Sequence, residues 1–249
     1  MSKVIAQGLL QVEKPCVLGL QEVAVSSLPD GIELPNLTSL QLCRPSLDFQ
    51  CDSRFTKVSE LGLSEVSKDS CVQVLTQIGR QLKILRVDVV DTLEVDEILR
   101  LSPNLKHLAL VGGPKSLKVA TQVDSNTLRR LKVLELRFSR DYNEYNDEVS
   151  ADVLLELLRA PELRKLVLVC RFPKRLENAA EMIGLLQHQK ILQKLECVVL
   201  EGTAQSGAFS DLLLNSMTVN CPNLIDVSNR FAQSLFDYCW STDDAVRKY

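Results

Sequence analysis

The sequence predicts an α/β solenoid, in which short parallel strands form one sheet and helical return segments lie along its other side. Three observations support this prediction: one strand pattern recurs along the chain, its copies follow one another at similar spacing, and the segments between the copies have helical periodicity. The pattern is leucine, two variable residues, leucine, one variable residue, leucine. Its copies begin at Leu37, Val58, Leu82, Leu105, Leu131, Leu163 and Leu195 and stand 21 to 32 residues apart. Units of such a period stack and share one core, which a single unit cannot form.

The repeats are predicted to form one domain with a cap at each end. Weaker copies of the strand pattern begin at Leu20 and Leu224, so the repeats span residues 20–229. Residues 1–19 predict an N-terminal cap or an irregular first repeat. Residues 230–249 carry several aromatic side chains ahead of a polar tail. They predict a C-terminal cap, because the last unit of a solenoid otherwise leaves its core exposed to water.

The segments between the strands have the periodicity of amphipathic helices. Val74, Leu75 and Ile78 follow Ser70 at helical spacing, and a small polar residue ahead of such a group predicts a capped helix. Comparable groups lie at residues 95–99, 153–158, 180–186 and 209–217. A proline then predicts the corner into several strands, because it disfavours helix in the residue before it. These prolines are Pro35, Pro103, Pro161 and Pro222.

The order of helix, corner and strand resembles the leucine-rich repeats of the ribonuclease-inhibitor-like type. The resemblance lies in the strand copies and in corner motifs such as Ser102-Pro103-Asn104-Leu105. It implies a right-handed horseshoe with a parallel concave sheet and a helical convex face. The repeats are also similar to those of F-box-type substrate receptors of ubiquitin ligases, although no F-box motif precedes them.

A short C-terminal element has a second resemblance. Leu235-Phe236-Asp237-Tyr238-Cys239 is similar to the start of an elongin-binding box. Asp243 stands where that box has an apolar residue, so a helical cap remains the favoured interpretation of this segment.

Charge and cysteine usage restrict the class of protein. The formal net charge is −3, which disfavours nucleic acid because phosphate binding normally needs a basic stripe. The basic stretch from Arg129 to Arg140 also contains Glu135. The eight cysteines are scattered without a CxxC pair, as expected for reduced thiols. No signal peptide or membrane-spanning stretch is recognisable. We therefore expect a cytoplasmic or nuclear protein without membrane contact.

Candidate catalytic and metal-binding residues are few. The only histidines are His107 and His188, and neither stands at zinc spacing from a cysteine pair. His107 is predicted to lie beside Asp88 or Glu135 on a neighbouring strand, where it could imitate an acid–base pair. A surface histidine without a catalytic role is the favoured interpretation. We expect no enzyme activity, no metal and no cofactor.

Side chains alternate along a strand, so the residues between the leucines are predicted to face the concave side. One predicted row crosses the strands through Cys43, Ser64, Asp88, Val111, Arg137, Val169 and Glu201. From the fourth strand onward the face gains an apolar patch with a charged rim, as protein-binding surfaces do. The alternative is that valine is simply a good strand former. The predicted binding residues are Arg86, Asp88, His107, Val111, Val133, Glu135, Arg137, Lys165, Val167, Val169, Val199 and Glu201.

A second candidate site is the long connection from Ser139 to Glu148, which carries Tyr142 and Tyr145 among acidic and amide residues. Tyrosine offers rigid contact area with a polar tip, and loops on a stiff scaffold often bind partners. The alternative, to which we give equal weight, is that this connection is a flexible acidic insertion that binds no ligand.

These observations favour a non-catalytic protein-binding module or adaptor that holds a protein or peptide on its concave face. Two alternatives stay open. One is the substrate-recognition subunit of a cullin-type ubiquitin ligase, and the other is an RNA-binding solenoid that uses Arg129 to Arg140. The oligomeric state and the identity of the partner are open as well.

Overall fold

The structure is a computed structural model. It describes residues 17–21, 34–45, 47, 49, 51, 55–89, 93–111, 117–118, 128–137, 151–169, 192–202 and 207–231. The predicted helix at residues 180–186, the tyrosine-containing loop and most of both predicted caps lie outside these ranges. Within the described part the chain is an α/β protein built on one large parallel sheet.

Among the described residues the sheet contains nine strands, and each strand lies beside the preceding strand of the same sheet. All neighbouring pairs are parallel. In spatial order the strands are β1 (Val17–Gln21), β2 (Ser39–Cys43), β3 (Glu60–Val66), β4 (Ile84–Val89), β6 (His107–Val111), β8 (Val133–Arg137), β9 (Lys165–Val169), β10 (Cys197–Gly202) and β11 (Asp226–Phe231). Two short strands, β5 (Leu93–Glu94) and β7 (Leu117–Lys118), form a separate parallel pair.

Four helices lie in the described connections. They are α1 (Lys68–Ile78), α2 (Val95–Leu101), α3 (Ala151–Leu158) and α4 (Gly207–Asn220). A 3₁₀ turn at Gly79–Gln81 follows α1. No helix in these segments combines the length and the apolar character that crossing a membrane requires.

The core is made of leucine rows that run across the strands. Pairing places the middle leucine of each pattern beside that of the next strand. No side chain in this row is more than 1% exposed. The row consists of Leu40, Leu61, Leu85, Leu108, Leu134, Leu166 and Val198. Each unit thus buries its leucines against its two neighbours, as stacked repeats require.

Helix α1 shows how a return segment covers this core. Its buried face consists of Cys71, Val74, Leu75 and Ile78, which recur at helical spacing. The residue that caps it is Ser67, whose side chain accepts a hydrogen bond from the backbone N–H of Ser70 at 3.3 Å. The predicted start at Ser70 is therefore one turn late. Ser70 is itself buried and lies inside the first turn.

Asparagines that follow the corner prolines join consecutive units. Asn104 Nδ2 donates to the carbonyl oxygen of Arg80 at 2.6 Å, and Asn223 Nδ2 donates to that of Gln193 at 2.7 Å. Each bond spans one repeat, since the partners are 24 and 30 residues apart. These bonds satisfy backbone carbonyl groups that lie between the end of one α-helical segment and the start of the next strand.

A close contact between two units at Gly79 gives a stability prediction. A Cβ at Gly79 would lie 2.6 Å from the backbone oxygen of Leu101 and 3.0 Å from Ser102 Oγ. Gly79→Ala is expected to lower the free energy of unfolding by about 1–3 kcal/mol, because the backbone must shift to admit the methyl group. Urea denaturation of both proteins measures the difference.

Gly62→Ala is the matched control. Its Cβ would meet only the end of the Gln41 side chain, which is exposed and can rotate away. We expect a change below about 0.5 kcal/mol. Equal effects of the two substitutions would contradict the proposed contact at Gly79.

Candidate binding face

The residues that alternate with the core leucines form the second surface of the sheet, which we call the open face. Two predicted rows run across it as expected. The first contains Ser39, Glu60, Ile84, His107, Val133, Lys165 and Cys197. The second contains Gln41, Gly62, Arg86, Ala109, Glu135, Val167 and Val199. Parallel pairing thus brings side chains from consecutive repeats together.

The third predicted row is interrupted between β3 and β4. Ser64 and Asp88 are not paired, because the register shifts between Leu63 and Val66. The cause is local: Glu65 has a φ of 50°, a left-handed conformation that breaks regular strand geometry. From Asp88 onward the row is continuous through β6, β8, β9 and β10.

An ion pair accompanies this irregularity. Arg44, with a φ of 51°, donates from Nε at 2.7 Å and from Nη2 at 2.5 Å to Glu65 Oε2. Burial raises the pKa of Asp88, and the nearby Glu65 carboxylate raises it further, whereas a hydrogen bond from the Glu65 backbone opposes the rise. Asp88 is the first residue of the continuous part of the row.

The centre of the open face holds a three-residue network. His107 Nε2 lies 3.1 Å from Glu135 Oε1, and Arg137 Nε donates to Glu135 Oε2 at 3.1 Å. The side chains of His107 and Glu135 are 16% and 13% exposed, against 46% for Arg137. Glu135 and Arg137 share a face because they are two residues apart on β8. Of the two predicted acidic neighbours of His107, the structure selects Glu135.

The electrostatics of this network keep Glu135 ionised. Burial alone would raise the pKa of Glu135, but the hydrogen bond from His107 and the charge of Arg137 outweigh it and lower the pKa to about 2. A partly buried carboxylate with both oxygens engaged is held in place by its partners. Its chemical effect is to hold the guanidinium of Arg137 in one position.

The apolar part of the face is smaller than the sequence predicts. Val167, a predicted contact residue, is only 3% exposed, as is Ala109. Both flank Glu135 in register on the adjoining strands. The valines that remain partly exposed are Val111, Val133, Val169 and Val199. These four leave apolar area accessible on the open face, whereas Val167 is buried beside Glu135 in the same row.

The remaining predicted contact residues lie around these valines. Arg86 and Lys165 are partly buried on β4 and β9, and Glu201 is partly buried on β10. Tyr142 and Tyr145 lie outside the described residues, so the structure does not place them relative to the face.

Cysteines on and behind the face are free thiols in the described part. Cys197 Sγ donates to Asp226 Oδ2 at 3.4 Å, and burial together with this carboxylate raises the pKa of Cys197. Burial raises the pKa of Cys71 to about 12 and that of Cys221 to about 11. A raised pKa keeps a thiol protonated and unreactive. The described residues contain no cluster of three histidine, cysteine or carboxylate side chains able to hold a metal ion.

The predicted basic stretch is divided between two environments. Arg129 and Arg130 are exposed in the turn before β8, and Arg130 Nη1 donates to Asn104 Oδ1. Arg137 belongs to the open face and binds Glu135. Part of the basic charge is thus used within the protein rather than displayed as one stripe.

Sequence reasoning missed an exposed apolar surface on the last described unit. Val219 on α4 is 80% exposed, and Ile225 and Val227 around the start of β11 are 86% and 43% exposed. The available signal was the degenerate strand pattern at Leu224, where Asp226 interrupts the apolar residues. No protein-family model, curated protein or solved structure matches the chain.

The network predicts an acid-dependent contribution to stability. The pKa of Glu135 in the folded protein, about 2, lies below its ordinary value of 4.5. Its contribution is therefore complete above pH 4.5 and disappears as the pH falls towards 2. Glu135→Gln is expected to lower the free energy of unfolding by about 2 kcal/mol at pH 7. The difference from the original protein should narrow below pH 4.5 in urea titrations.

Glu60→Gln is the matched control, because Glu60 is exposed in the first row of the same face. It should change the free energy of unfolding by less than about 0.5 kcal/mol. A Glu135→Gln effect that stays constant from pH 7 to pH 3 would show that the carboxylate charge does not stabilise the fold.

Proposed function

We propose that the chain is a non-catalytic protein-binding module that holds a protein or peptide partner on its open face. We further propose that its repeats are leucine-rich repeats of the ribonuclease-inhibitor-like type, forming a right-handed horseshoe in which the open face is concave. The repeat period, the stacked leucine rows and the asparagine bonds between units support this proposal.

The observation that carries the proposal is the composition of the open face. Partly exposed valines surround a charged group, Arg137, whose position is set by the partly buried carboxylate of Glu135. Apolar area supplies affinity, and a fixed charge at its centre orients the partner. A surface formed before binding costs little conformational entropy when the partner arrives.

The cellular compartment is also a proposal. Cys71 and Cys221 form no disulfide and are buried within the core. Thiols that serve as small apolar core residues suit a reducing environment. We therefore propose a cytoplasmic or nuclear protein.

Val199→Asp is expected to weaken binding of the partner by at least about tenfold, since a carboxylate at an apolar contact costs more than about 1.4 kcal/mol. Val199 is suitable because it is partly exposed, whereas a carboxylate at the buried Val167 would destabilise the sheet. The measurement is quantitative mass spectrometry of proteins that co-purify with the full chain from cell extract.

Val219→Asp is the matched control, because this valine lies on α4 and is 80% exposed. Both variants must retain the circular dichroism spectrum and melting temperature of the original. Partners retained by Val219→Asp and lost by Val199→Asp would support the open face as the binding site. Partners retained by both variants would exclude it.

A further inference from the structure

Five residues of the third row have a symmetric order of chemical types, between the interrupted register at β3 and Arg230 on β11, which lies beside Glu201. From β4 to β10 these five are Asp88, Val111, Arg137, Val169 and Glu201, one from each neighbouring strand. The order is therefore acidic, apolar, basic, apolar, acidic. All five side chains are at least partly exposed, so a ligand lying across the strands would meet these types in sequence.

Arg137 at the centre of this row is prepared for an acidic group. Its Nε is bound to Glu135 Oε2, and the other oxygen of Glu135 is bound to His107. Within the described part of the chain no acceptor lies on the two terminal nitrogens of Arg137. A carboxylate can bind such a pair end-on with two hydrogen bonds, and the preset geometry lowers the entropy cost.

The spacing of the row selects the conformation of the ligand. Neighbouring strands are about 4.8 Å apart, so Arg137 stands about 10 Å from each acidic end of the row. One helical turn advances 5.4 Å, and two turns advance about 11 Å. An extended chain places side chains on one face about 6.8 Å apart, or about 14 Å over two such steps. A helix across the strands therefore matches the row better than an extended peptide.

The geometry points to an amphipathic helix of a partner protein as the ligand of this row. Its central acidic residue binds Arg137. Apolar residues one turn away on either side cover Val111 and Val169, and basic residues two turns away face Asp88 and Glu201. This inference rests on the proposed protein-binding function and specifies the partner for it.

The same charges argue against a phosphate group at the centre. A dianion would receive one guanidinium and would lie between the carboxylates of Asp88, Glu135 and Glu201. A single carboxylate matches Arg137, the one basic residue among these five, and basic groups at the ends of the helix face Asp88 and Glu201. Charge complementarity therefore favours a protein carboxylate.

A displayed peptide library tests the inference directly. The probe is a helix of about 18 residues in which five face positions, at i−7, i−4, i, i+3 and i+7, vary among Lys, Glu, Leu and Ser. Selection on the full chain is expected to enrich peptides that carry Lys, Leu, Glu, Leu and Lys at these five positions. We expect at least about tenfold enrichment over peptides in which the charges are inverted. Selection on Arg137→Glu is expected to replace the central Glu by Lys.

Arg129→Glu is the matched control, because Arg129 is exposed in the turn before β8 and lies outside the row. It should select the same peptides as the original chain. Arg137→Gln, which keeps a polar side chain, should lose the preference for a central Glu without gaining one for Lys. This outcome separates a change of charge from a change of fold.

Three results would overturn the inference: no enriched pattern, enrichment of the inverted pattern, or an unchanged preference on Arg137→Glu. Concentration-dependent dimerisation abolished by Arg137→Glu, without peptide enrichment, would assign the row to a second copy of the chain. Enriched peptides that bind Val199→Asp more weakly but bind Arg137→Glu as well as the original chain would refute this inference. They would still support the proposed function.

Discussion

Parallel strands hold their leucines in a common register through backbone hydrogen bonds, and the core of the sheet rests on that register. A slip of one residue in any strand would move its leucines to the open face. The penalty is large because these side chains, including Leu108, Leu134 and Leu166, are almost completely buried. Asparagine side chains such as Asn104 add bonds between units at the corners. The stacking of units and the register of the sheet are thus one constraint.

The open face follows from the same register. Once the leucines are aligned, the alternating residues must form rows on the other side, and residues far apart in sequence become neighbours. His107 and Glu135 are 28 residues apart in the chain but share a hydrogen bond for this reason. The small side chain of Ala109, beside Glu135 in register, leaves room for it. A charged network can therefore exist in the middle of a surface built mainly for packing.

The network and the valines serve a binding surface in complementary ways. Glu135 has a strongly lowered pKa and stays charged, so Arg137 keeps its position without a ligand. Val111 and Val169 flank Arg137 on the adjoining strands and offer apolar area on both sides. Such a surface needs little rearrangement on binding, and its specificity comes from the order of charges along the row.

The sequence by itself predicted the strands of the large sheet from β2 to β11 and the membership of two rows from β2 to β10, because a period-2 pattern repeated in these units allows only one alignment. The first strand was predicted wrongly from the copy at Leu20, since β1 pairs Leu18 and Leu20 with Leu40 and Leu42. The sequence also placed His107, Glu135 and Arg137 on one face and left Asp88 or Glu135 as the neighbour of His107. Only the tertiary structure decided which residues of that face remain accessible. Val167 is buried although it alternates with core leucines on the open face, and Glu65 in a left-handed conformation shifts the register beside Asp88. Exposure and local backbone strain depend on side chains from other repeats, and no pattern within one unit encodes them.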